Sequence, residues 1–195
     1  MIKYLLVIPL FFLFTTNITA EVNEEQVIKE MLESRDAEIK ELLGPKGSEY
    51  TQEQRDRLKE IINGVIDFRS MAEYALGNTF NEISDEDREE FVELFATIIR
   101  DNSLNRLDIY RADVIYEDIS VDGSEAHVKT IAQLDNVRTP VDYDMEKQNG
   151  EWVITDMAID GVSTAGSYNR QYQNIIRRHG FDALLDSLRK RAARA

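Results

Sequence analysis

The chain divides according to the period of its apolar residues. Between Glu24 and Leu43 the apolar positions Ile28, Met31, Leu32, Ile39, Leu42 and Leu43 fall on one side of a helix, and Gly44-Pro45 ends the run. Thr51 and Gln54 have the spacing of a capping box, in which each side chain bonds the other's backbone N–H. The helix they open carries Leu58, Ile61, Ile62 and Val65. Asp67 is placed to cap a third segment, FRSMAEYAL, with Phe68, Met71, Ala72 and Ala75 on one stripe and Gly77 after it. Ser84 opens the most regular helix, in which Phe91, Leu94, Phe95, Ile98 and Ile99 share a face. Asp85, Glu86 and Asp87 fill its first turn, where the helix dipole favours negative charge. This helix is expected to continue past Leu104 toward Tyr110.

From Arg111 the period falls to two. VIYEDISV, EAHVKTIAQL, TPVDYDMEKQ and EWVITDMAID read as strands, separated by the hairpin signals Asp122-Gly123, Asp135-Asn136 and Asn149-Gly150. Connections this short force antiparallel neighbours, so the four strands form a meander. Val141, Tyr143 and Met145 share one face of the third strand. In the fourth, Val153, Thr155, Met157 and Ile159 alternate with Trp152, Ile154, Asp156 and Ala158, and both sets carry enough apolar residues to leave the inward face open. After Gly161 the helical period returns through Tyr168, Tyr172, Ile175 and Ile176 and stops at Gly180. A last helix over Asp182–Arg191 offers Leu184, Leu185 and Leu188. The order helices, meander, helices predicts an α+β domain with its helices on one face of a twisted antiparallel sheet.

The first twenty residues, MIKYLLVIPLFFLFTTNITA, have the anatomy of a secretory signal peptide: Lys3, an apolar run from Leu5 to Phe14, and a cleavage site before Glu21. That run is about half the roughly 20 residues a membrane-spanning helix needs. Residues 21–195 then suit a single domain located outside the cytoplasm. The chain contains no cysteine, which removes disulfides, thiolate metal sites, cysteine nucleophiles and a lipid-anchored lipoprotein together.

Charge adds a second asymmetry. The chain carries a formal −14, yet from Gly166 onward Arg170, Arg177, Arg178, Arg189, Lys190, Arg191 and Arg194 face only Asp182 and Asp186. An acidic body argues against nucleic acid as a partner, which needs a basic footprint. It argues equally against lying flat on an anionic membrane. His127 and His179 are the two histidines, and neither has metal-ligand spacing; no nucleophile elbow and no phosphate-binding glycine loop is present. With 37 acidic residues, chance proximity of two carboxylates carries no catalytic signal. What is left is a surplus of Met, Phe, Ile and Tyr on helix and strand faces, and these residues build ordinary cores and adaptable apolar cavities alike.

The segments FRSMAEYALGNTFNEISDEDREEFVELFATIIRDNSLNRL and IDGVSTAGSYNRQYQNIIRRHGFDALLDSLR, with the meander between them, closely resemble the periplasmic MlaC family. Its members are also called toluene-tolerance or organic-solvent-resistance auxiliary proteins. The resemblance runs from about Glu24 to Lys190 and is most specific over Met71–Gly77, the helix opening at Ser84, the Gly161-Val162-Ser163 turn and the Gly180-Phe181-Asp182 break. It implies a non-enzymatic, soluble carrier of phospholipid as cargo, with no cofactor and no metal. Such a carrier shuttles lipid between an outer-membrane lipoprotein complex and an inner-membrane ABC transporter with an MCE-domain subunit, maintaining outer-membrane lipid asymmetry. The implied fold joins helices to a sheet unit like that of nuclear transport factor 2 around an apolar cavity, and it places Val162 at that cavity. Apolar faces add Phe68, Met71, Phe95, Ile99, Tyr143, Met145, Met157, Ile159 and Tyr168 as candidate lipid contacts. The sign change at Gly166 marks Arg170, Arg177 and Arg178 for head groups or an acidic partner. A monomer is expected. An adaptor with a filled core and no lipid, or an enzyme using the sheet cavity, are the alternatives.

Overall fold

Helix α1 (Glu24–Leu43) is amphipathic along its whole length, but its two halves face different partners. In this computed structural model, which describes residues 23–45, 50–104 and 107–194, Ile28 and Leu32 pack with Val65, Ala126, Val128, Met145, Trp152 and Ile154 in an apolar cluster against the sheet. Ile39 and Leu43, further along, belong to a second cluster built from helical segments. The expected signal peptide lies outside the described residues, among which no helix is long and apolar enough to cross a membrane. Arg111 closes the C-terminal end of α1 by donating to the carbonyls of Leu43 and Pro45 and to the Tyr50 hydroxyl, so its otherwise unpaired carbonyls find donors.

The helical cluster takes its members from α2 (Gln52–Val65), α3 (Phe68–Leu76), the short α4 (Thr79–Glu82), α5 (Asp85–Leu104), α6 (Thr164–His179) and α7 (Phe181–Ala192). The local signals act as expected: Thr51 and Gln54 form the capping box of α2, and the Asp67 side chain caps α3. Phe91 and Phe95 of α5 are fully buried, with the Tyr172 ring edge-on to both at centroid distances of 5.9 and 6.4 Å. The run expected from Ser84 toward Tyr110 is not one helix. α5 is described to Leu104, and Leu107–Arg111 form a 3-10 turn that leads into the sheet. The Ser103 hydroxyl donates back to the Ile99 carbonyl in the last turn of α5, a bond that competes with the helical ladder.

The sheet has five antiparallel strands in chain order: β1 (Asp113–Asp122), β2 (Glu125–Leu134), β3 (Val137–Gln148), β4 (Glu151–Ile159) and β5 (Val162–Ser163). The fifth extends the expected four. Asp160 and Gly161 both hold positive φ, 51° and 73°, the requirement of a tight two-residue hairpin, so the chain pairs once more before α6 begins. A β-bulge settles the faces of β4. Met145 pairs with Ile154 while Asp144 pairs with Asp156, which leaves Thr155 as the extra residue. Trp152 and Ile154 therefore share the inner face with Met157 and Ile159, and Val153 lies on the other face, unlike simple alternation along the strand.

Sheet and helices are joined by polar contacts as well as packing. Glu24 accepts hydrogen bonds from Lys147 Nζ (2.6 Å) and Trp152 Nε1 (2.8 Å), while the Asp67 N–H donates to the Ile154 carbonyl (2.9 Å). The Asp67 carboxylate accepts from the Ser70 N–H (3.0 Å), the Ser70 hydroxyl (2.6 Å) and Gln148 Nε2 of β3 (2.8 Å). Burial alone would raise its pKa, but the hydrogen bonds from Ser70, Gln148 and the Arg69 backbone outweigh burial and hold it below its ordinary value of 3.8. Asp67→Ala is expected to cost about 1–2 kcal/mol in urea denaturation at pH 7. A depressed folded pKa gives stability that is complete above the unfolded value and is lost as pH falls through the folded one. Wild type should therefore weaken below about pH 4 more steeply than Asp67→Asn, and denaturation at pH 3 and 7 measures the difference.

Candidate functional site

The inner face of the sheet is covered along only half its length. Partners across a ladder share a face, so Ala126, Val128, Met145, Trp152 and Ile154 form one continuous surface, and all five are buried under α1 and Val65. The same face continues through Val114, Ala132, Val141, Met157, Ile159 and Val162. None of these six belongs to either buried cluster. Val114, Ala132, Val141 and Met157 are half-buried, while Ile159 and Val162 are 42% and 54% exposed. Leaving aliphatic side chains uncovered forgoes the roughly 25 cal/mol per Å² that burial would contribute. Three further exposed aliphatics, Ile109, Ile115 and Val137, lie in the 3-10 turn, at the start of β1 and at the start of β3.

Where this open half meets the helices lies a groove of about 390 Å³. Ile159, Val162 and Tyr168 give it apolar walls; Ser163, Thr164, Ser167 and Gln171 line its polar side, and Arg191 reaches it from the last turn of α7. The Tyr168 ring is backed by Phe95 and Tyr172, both at a centroid distance of 5.4 Å, and its hydroxyl accepts from Asn102 (3.2 Å). The mouth is fixed by a polar clasp at the start of α6. Asp156 accepts from the Ser163 hydroxyl and the Ala165 N–H, and the Ser163 oxygen in turn accepts from the Gly166 N–H. That carboxylate already occupies the positive end of the helix.

The sequence profile described as MlaC protein matches residues 23–190. The chain belongs to the MlaC family. Among solved structures, the MlaC chain is similar to the phospholipid-binding protein of Ralstonia solanacearum in complex with a phospholipid. The TM-score is 0.71 and the identity 19%, over 87% of this chain and 97% of that one, which is a likeness of fold. A comparison with curated proteins gives no match.

The MlaC fold distributes the expected lipid contacts among three environments. Val162, Ile159 and Tyr168 meet at the groove. Tyr143 pairs with Val128 and Met157, at the boundary between the covered and open halves. Phe68, Met71, Phe95 and Ile99 are packed within the helical cluster and Met145 within the sheet cluster. Arg170 is exposed, with its guanidinium donating to the Ser167 hydroxyl (3.0 Å) beside the groove. Arg177 and Arg178 are exposed in the last turn of α6, about 10 Å along the axis from Gln171. Sequence reasoning missed Thr164, Ser167, Gln171 and Arg191. Only Arg191 carried a signal there, as one cation of the basic tail.

Burial pushes the Tyr143 phenol up to about 12, against the opposing hydrogen bond of Thr130, and raises Tyr116 and Tyr172 further. These phenols stay neutral at physiological pH. A second concavity, about 340 Å³, lies toward the outer sheet face and includes His127 and Asp144, in contact at 2.7 Å, with Glu125 and Glu146. Among the described residues no three His, Asp or Glu side chains are grouped to hold a metal ion. The Tyr172 hydroxyl is buried and has no hydrogen-bond partner among the described residues. Removing an unsatisfied buried hydroxyl relieves a penalty of roughly 1–3 kcal/mol, so Tyr172→Phe should keep or raise the thermal midpoint; a clear fall would mean that the hydroxyl has a partner in solution.

Proposed function

We propose that this protein carries phospholipid through the periplasm, with acyl chain held between the open half of the sheet and α6. The observation that carries this reading is the row of uncovered aliphatic residues ending at Ile159 and Val162, set opposite Tyr168 in a groove. The neighbouring fold from Ralstonia solanacearum was solved with a phospholipid, which supports the same use of this fold. A groove of this size accepts part of a lipid; Val141 and Met157 extend the same apolar face.

The energetics favour a carrier over free diffusion. Each methylene held in a bilayer contributes about 0.8 kcal/mol, so a chain of roughly 15 carbons resists release by on the order of 12 kcal/mol. A carrier must offer a comparably apolar surface and needs no catalytic group, cofactor or metal. The leader at residues 1–20 would deliver the protein to the periplasm, where it would pass lipid between an outer-membrane lipoprotein complex and an inner-membrane ABC transporter with an MCE-domain subunit. That traffic would maintain the lipid asymmetry of the outer membrane, and it needs one carrier molecule, not an oligomer.

Val162→Glu provides the direct test. Val162 is 54% exposed, so the substitution leaves the folded protein intact, but a bound acyl chain would force the carboxylate out of water at a cost of several kcal/mol. Native mass spectrometry of mature protein purified without detergent should show phospholipid adducts in wild type and at least about a tenfold loss in Val162→Glu. A wild-type protein that stays lipid-free after incubation with phospholipid vesicles would refute the carrier reading and point to a protein partner instead.

A further inference from the structure

Arg191 is the basic residue that lines the groove. Acidic side chains outnumber basic ones 37 to 23, and many basic groups are in ion pairs. Two positions away, Arg189 donates twice to Glu90 (2.6 Å each) and once to Asp186 (2.9 Å). Arg191, by contrast, pairs with no carboxylate among the described residues, yet it lines the groove directly. The α6–α7 hairpin brings it there: its place in the last turn of α7 meets the first two turns of α6, Thr164 to Gln171. Asp156, on the strand that supplies Ile159, accepts from the Ser163 hydroxyl and the Ala165 N–H and forms no ion pair with it. Arg170, on the same stretch of α6, adds a second cation without an ion pair.

The groove is therefore amphipathic in a definite sense. Ile159, Val162 and Tyr168 form its apolar wall, and the polar side is lined by Thr164, Gln171 and Arg191, whose side chains carry a hydroxyl, an amide and a guanidinium with five N–H donors. A carboxylate would use only part of this donor set. A phosphate has enough acceptor oxygens for all of it, and a guanidinium binds phosphate through two parallel hydrogen bonds. We infer that Arg191 holds the phosphate of a lipid whose acyl chain lies against Ile159 and Val162, with Thr164 and Gln171 completing the contact. This assignment rests on the carrier reading and adds a chemical preference to it: phosphate-bearing lipids load better than neutral lipids with the same chains.

The test compares loading of mature wild type, Arg191→Gln and Arg191→Lys from vesicles containing phosphatidylglycerol or diacylglycerol of matched chains, read by native mass spectrometry. Arg191 is exposed and forms no ion pair among the described residues, so Arg191→Gln should keep the wild-type melting curve. The expected result is a preference for phosphatidylglycerol in wild type of about tenfold, lost in Arg191→Gln and partly kept in Arg191→Lys. Equal loading of phosphatidylglycerol by wild type and Arg191→Gln overturns the Arg191 assignment and leaves the carrier reading standing. Failure of wild type to load either lipid overturns both. If inorganic phosphate alone perturbs the Arg191 side-chain NMR signal while the two lipids load equally, the site serves free phosphate, and the lipid assignment is overturned.

Discussion

One helix has to cover two cores, and the shape of the molecule follows from how far it reaches. At about 1.5 Å per residue, the twenty residues of α1 span roughly 30 Å, and both ends are committed: Ile28 and Leu32 to the sheet, Ile39 and Leu43 to the helices. Each cluster draws on its own half of this helix. The arrangement also leaves the far end of the sheet face uncovered by α1. The groove exists because α1 runs off the sheet toward the helical cluster, so the recess comes with the architecture and needed no separate loop to carve it.

The polar contacts across the boundary act as locators. Glu24 ties the start of α1 to Lys147 and Trp152, Asp67 ties the α2–α3 junction to β3 and β4, and Asp156 ties the start of α6 to β4. Each sits at or next to a helix N-terminus, where a carboxylate is favoured twice, by the helix dipole and by unpaired N–H groups. Stability comes mainly from the two apolar clusters, and these carboxylates set how helices and sheet meet. The rest of the acidic surface is solvated, and its long-range repulsion is screened over about 8 Å at physiological ionic strength.

Most of the elements could be read from sequence because each was specified twice, by period and by punctuation. The capping box at Thr51, the cap at Asp67 and the hairpin dipeptides all sit where the apolar period changes, and the structure places boundaries there. Three features resisted for different physical reasons. A two-residue strand such as β5 is too short to show a period. The bulge at Thr155 preserves alternation on either side while shifting its phase, so β4 offered two equally apolar faces. Core and cavity lining are built from the same residues, so Phe95 and Val162 could not be separated until the topology placed one under helices and the other at an open edge. Arg191 was hidden for a fourth reason: its position depends on the antiparallel return of α7 along α6, and nothing local encodes that.

A sheet with an uncovered apolar half is at risk of growing, because a second copy can add a strand at a free edge and hide the same surface. Both edges here are poor templates. On one side β1 carries a bulge at Glu117, where the register shifts between Tyr116 and Asp118, and its ten residues include Asp113, Asp118 and Asp122 besides that glutamate. On the other side the sheet ends in β5, two residues long, and the chain then turns into α6. Strand addition would have to bring like charges together along β1, or displace β5 and the Ile66 bridge at Ile154 to pair along β4. The greasy face can thus stay open while fibre-like stacking of whole molecules is blocked at the level of the backbone.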